Sequence, residues 1–217
     1  MAEATIETGG AADAAANLEA LRALESARTK EIAQLHFAMV MGALTLWGAA
    51  DAWVAVSDLM IARVVVVANA LIAALVVTSV LHEWGHFAGA RLSGAVSPVL
   101  EKPVKYFFMF DFKFDENDSR QFVWMSWGGI LTPWLLVVLV LLLVPLDTVG
   151  RVVLLAAFVA RAAQVSLFEV PVTLRALRGG DPRAELGKEL KAGFGRSRSL
   201  GNMIGVAVGA LVLLGFQ

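Results

Sequence analysis

His82, Glu83 and His86 stand in the run TSVLHEWGHFAGARLSG, an H-E-x-x-H pattern near the end of an apolar stretch. On an α-helix, residues four apart project from one face, so both imidazoles can reach one metal ion. Glu83, adjacent to His82, can face the position where an ion would hold water. Zinc lowers the pKa of such a water to about 7, and a nearby carboxylate can take its proton and pass it to a leaving amine. Three ionisable groups ending an apolar helix are costly unless they do something. The chain has no cysteine, so any metal site must be built from His, Asp and Glu. The remaining histidine, His36, has no partner at ligand spacing and is read as a helix contact rather than a ligand.

Two acids compete to be a third ligand, with Asp181 slightly favoured over Glu169. Asp181 follows in the run EVPVTLRALRGGDP, and Glu169 opens that run. A carboxylate at the end of an apolar helix, as Glu169 is, needs a partner. Arg161, two turns earlier, or the ion itself would serve. Asp181 followed by Pro182 and RAELGKELKAGF also reads as the cap and first turn of a surface helix.

The elements that must carry these residues are apolar. Of 217 residues, 58% are hydrophobic and 17% charged, with net charge −1 and a mean hydropathy of +0.71. Soluble domains carry about 45–50% apolar and about 25% charged residues. The composition excludes a disordered chain and a nucleic-acid-binding protein, and points to an all-α polytopic membrane protein. Five stretches, at about 34–57, 63–86, 122–145, 152–171 and 200–216, approach the ~20 residues needed to cross the bilayer. Segments 1–34, 87–121 and 172–199 hold 15 of the 18 Lys and Arg residues. With five spans these three segments share one side, which the positive-inside rule makes cytosolic. The N-terminus is then cytosolic, and His82, about 28 Å along a helix from Arg63, lies near the cytosolic face.

Residues 1–33 read as a cytosolic helical lead-in rather than a signal peptide: Leu18, Leu21 and Leu24 recur at helical spacing among scattered acids. Residues 34–171 form the transmembrane core, 172–199 a basic cytosolic segment and 200–217 a C-terminal transmembrane helix. In KYFFMFDFKFD, Phe108, Phe110, Phe112 and Phe114 alternate with polar or thioether residues, a strand period. DENDS reads as a turn and QFVWMSW as a returning strand, which together predict a membrane-associated β-hairpin at about 103–125. Such a hairpin could hold an extended substrate by edge pairing, or could simply anchor the loop. Gly128, Gly129 and Pro133 suit close helix approach near the site. Trp47, Trp53, Trp124, Trp127 and Trp134 suit the membrane interfaces.

The run LHEWGHFAGARLSG resembles the zinc helix of the site-2 protease family of intramembrane metalloproteases, with Gly85 matching the glycine of its H-E-x-G-H motif. The order of elements is similar too: residues 103–127 match its β region, Ser126 to Pro133 its small-residue helix motif, and Glu169 to Pro182 its proline-broken helix that delivers an acidic ligand. The likeness covers about residues 63–182. The family's Asn-x-x-Pro…Asp-Gly pattern is altered here, with Phe168 where the Asn would stand and Gly-Gly-Asp-Pro around Asp181. The resemblance implies a zinc metalloendopeptidase, with Glu83 as general base, that cleaves membrane-spanning or membrane-associated peptides in contact with the bilayer. A non-enzymatic pseudoprotease scaffold retaining the metal is the alternative. A transporter with a structural metal would need polar residues spread through several spans, and these are scarce.

Overall fold

In a computed structural model, the structure describes residues 3–57, 59–101 and 109–215, without the side chains of residues 3–15. The described chain is helical: α1 (Glu3–Val56), α2 (Met60–Leu92), α3 (Ser119–Leu143), α4 (Val149–Leu177), α5 (Pro182–Ala192) and α6 (Gly195–Gly215). Five of these are long and apolar enough to cross a membrane: α1 from Ala16 onward, α2, α3, α4 and α6. Five such helices are compatible with a multi-pass membrane protein. In hydrocarbon a helix satisfies its backbone groups internally, which an isolated strand cannot do. The expected lead-in and first span are one continuous helix, α1.

The β-hairpin expected at about 103–125 is not supported. Positions 103–108 lie outside the described residues. Among the described residues there is no strand, only an isolated antiparallel bridge between Val99 and Phe110. The hydrogen bonds Leu100 N to Met109 O (3.0 Å), Asp111 N to Pro98 O (3.0 Å) and Lys113 N to Val96 O (3.1 Å) extend this pairing. The aromatic run thus pairs backward with 96–100, and the expected returning strand is the first turns of α3. Two local forces decide this. Asp118 accepts from Gln121 N at 2.8 Å while the Gln121 side chain accepts from Asp118 N at 2.9 Å, a capping box that starts a helix. Then Phe122, Met125, Ser126, Gly129, Ile130 and Pro133 are all buried, at helical spacing.

Helix α2 lies at the centre, packed against α1, α3 and α4. Its buried face is rich in alanine (Ala62, Ala70, Ala73, Ala74 and Ala90), which lets the neighbours approach closely. The core joins Ala70, Ala73, Ala74 and Val77 of α2 to Leu136, Val137 and Val140 of α3 and Leu154, Leu155 and Phe158 of α4. Helix α6 lies on α4, where Cβ atoms on Gly201 and Gly205 would strike the α4 backbone at Ala160 and Ala156.

Register between α2 and α4 brings the chemistry together. Gly150 of α4 lies against the Val66 side chain of α2. Counted from that contact, Glu169 is about 28 Å along α4 and His86 about 30 Å along α2 at 1.5 Å per residue. Both helices run the same way, so the two residues reach one level. Near that contact, Arg151 pairs with Asp51 at 2.8 Å and with Asp147 at 2.8 Å, fixing the start of α4 to the end of α1. At the site end, Glu25 pairs with Arg91 in the last turn of α2, and Arg28 pairs with Glu101 at 2.9 Å, tying α1 to α2 and to the segment that follows it.

Candidate metal centre

Three glycines allow the helix crossing that builds the site. A Cβ on Gly85 would strike the Gly128 carbonyl, one on Gly128 the Gly85 carbonyl, and one on Gly89 the Trp124 carbonyl. Backbone therefore meets backbone where α2 crosses α3, which only residues lacking Cβ permit. Gly129 supplies a fourth opening: a Cβ there would fall on the His86 imidazole.

Because α3 lies this close, both imidazoles reach its backbone. His82 Nδ1 donates to the Gly129 carbonyl at 3.0 Å, and His86 Nδ1 donates to the Met125 carbonyl at 2.9 Å. Both Nε2 atoms are then turned toward each other, 3.2 Å apart. Glu169 of α4 completes a triangle, with Oε1 at 3.1 Å from His82 Nε2 and 3.3 Å from His86 Nε2. A tetrahedral zinc with bonds of about 2.0–2.2 Å has ligand–ligand edges of about 3.3–3.6 Å. The triangle has close to the dimensions of one such face. All three side chains are 13–17% exposed, so the group is largely but not wholly buried. The second carboxylate oxygen, Glu169 Oε2, is buried without a hydrogen-bond partner. A buried carboxylate oxygen left in this way suits a cation better than a closed packing role. The donor set, two imidazole nitrogens and one carboxylate with the outer imidazole nitrogens on carbonyls, fits zinc.

The structure brings together His82, His86 and Glu169, the one such group of potential ligands among the described residues. Glu83, named from sequence as the base, is 6% exposed and within electrostatic reach of both imidazoles and of Glu169. Asp181, the acid slightly favoured from sequence as third ligand, is not in this group. It caps α5, accepting from Ala184 N at 2.7 Å, with Pro182 in the first turn. Helix α5 is held on α4 by Arg175, which pairs with Glu185 at 2.7 Å and Glu189 at 2.8 Å. Lys188, and after it Arg175, hold the Glu185 carboxyl below its ordinary range.

The other partner considered for Glu169, Arg161, makes its hydrogen bonds to Gln164 at 2.9 Å and Ser79 at 3.3 Å. His36, buried in α1, accepts from Trp84 Nε1 at 3.1 Å, which makes it a contact between α1 and α2. The Gly129 and Met125 carbonyls were not legible in the sequence as partners of the histidines, although the glycines of SWGGILTP mark where α3 comes close.

Compared with family models, curated proteins and solved structures, the chain matches none of them.

Proposed function

We propose that the protein is an intramembrane zinc metalloprotease, with His82, His86 and Glu169 as protein ligands and Glu83 as general base. The observation that carries this is the triangle of two Nε2 atoms and Glu169 Oε1, 3.1–3.3 Å on each edge, formed by an H-E-x-x-H helix and a second helix. Catalytic zinc has three protein ligands and one open position for water or substrate. Sequence offered two acids for the third place, and the geometry favours Glu169. The likeness of LHEWGHFAGARLSG to the site-2 protease zinc helix supports the same function.

Zinc bound here would lower the pKa of a coordinated water and polarise the scissile carbonyl. The Glu83 carboxylate accepts a proton as the water oxygen bonds to the carbonyl carbon. It then returns that proton to the amide nitrogen as the C–N bond breaks. To ligate zinc through Nε2, His82 and His86 would each be neutral with the Nδ1 proton on an α3 carbonyl. Glu169 supplies negative charge from the opposite helix.

The substrate is a membrane-spanning or membrane-associated segment, locally unwound because peptide cleavage needs an extended chain. The distribution of basic residues supports a cytosolic N-terminus and a site near the cytosolic face.

Metal removal tests the activity. Dialysis of the purified protein against 1,10-phenanthroline should abolish cleavage of fluorogenic peptides carrying one apolar span, and stoichiometric zinc should restore it. Cleavage that persists in metal-free protein would refute the assignment.

A further inference from the structure

Helix α3 carries a proline in its interior, Pro133, which is fully buried. Proline has no N–H, so the carbonyl four residues earlier, that of Gly129, has no intrahelical donor. In a bilayer no bulk water replaces that donor. The nearby Thr132 hydroxyl donates to Gly128 O at 2.8 Å, not to Gly129 O. What reaches the Gly129 carbonyl is His82 Nδ1, at 3.0 Å. A carbonyl can only accept, so Nδ1 must carry a proton, and in the neutral imidazole this leaves the lone pair on Nε2. The companion contact differs. The Met125 carbonyl that receives His86 has an ordinary helix donor available four residues on, the N–H of Gly129.

We propose that Pro133 is a positioning residue of the metal centre: it denies the Gly129 carbonyl a helix donor, reserves that carbonyl for His82, and so holds the His82 Nε2 lone pair toward His86 and Glu169. This deepens the metal-site assignment above and rests on it. Outer partners that fix the tautomer of a ligating histidine typically change metal affinity 10–100-fold. An alanine at position 133 restores the N–H, closes the α3 ladder onto Gly129 and leaves His82 to compete for an occupied carbonyl. His82 can then adopt the other tautomer, whose Nε2 carries a proton and cannot ligate.

The test compares the wild-type chain with Pro133→Ala in detergent micelles, reading zinc affinity by competition with a fluorescent chelator and melting temperature in the metal-free state. Affinity is expected to fall about 10–100-fold, while the melting temperature stays level or rises, because alanine favours a helix interior. Unchanged zinc affinity overturns the proposal, and so does a fall in affinity together with melting temperature, which marks a merely structural role. Should Pro133→Ala fail to fold, histidine ¹⁵N–¹H NMR of the metal-free wild type at mildly alkaline pH decides. His82 is expected to carry its proton on Nδ1, hydrogen-bonded to the Gly129 carbonyl, and an Nδ1 without a proton overturns the proposal. If the wild type binds no zinc, the metal assignment fails on its own, and the NMR spectrum still reports whether the carbonyl sets the tautomer.

Discussion

Replacing Glu83 by glutamine is expected to leave zinc bound and to slow peptide cleavage by about 10²–10⁴-fold, the usual contribution of a positioned general base. Glu83 is 6% exposed on α2, beside His82 and outside the ligand triangle. A carboxamide has nearly the same shape, so the fold and the three ligands should survive. It cannot take a proton from water, so the chemical step should not. Zinc content and single-turnover cleavage, measured on the same preparation, separate the two effects. Undiminished turnover would remove Glu83 from the mechanism. Loss of zinc along with turnover would make it a ligand or a structural support instead.

The second large effect is expected at the third ligand. Glu169→Ala should lose zinc and cleavage together. It removes one of three protein ligands and leaves two imidazoles 3.2 Å apart with nothing opposite. The fall in affinity should exceed the about 10–100-fold seen when only an outer partner is removed. Asp181→Ala should keep both zinc and cleavage, and cost about 1 kcal/mol as a lost helix cap. Its carboxylate accepts from Ala184 N, at the start of α5. Zinc titration and thermal unfolding of the two variants side by side check this. The reverse pattern would move the third ligand to Asp181.

What the sequence made legible follows from the range of the interactions involved. His82, Glu83 and His86 could be read because i,i+4 spacing on a helix is local geometry. The five long apolar helices could be read because each must satisfy its own backbone. The cap at Asp181 is equally local, and both the Asp-Pro signal and the hydrogen bond to Ala184 N are present. The third member of the triangle was ambiguous because Glu169 meets the histidines through the register of α2 against α4. That register depends on contacts such as Gly150 on Val66, which spacing along one chain does not encode. The hairpin failed for a different reason. DENDS reads as a turn and QFVWMSW as a returning strand, but the Asp118–Gln121 capping box and the burial of Phe122, Met125 and Ser126 belong to a helix. Pro133 was visible as a residue near a close approach. The proline also marks Gly129 as a carbonyl without a helix donor, a signal available to anyone counting four residues back.

The central claim, a zinc site made by α2 and α4, is tested most directly by elemental analysis of the protein purified without chelators, beside His82→Ala prepared in the same way. One equivalent of zinc per chain in the wild type and none in the variant is the expected result. A wild type without zinc, or a variant that keeps its full equivalent, would contradict it.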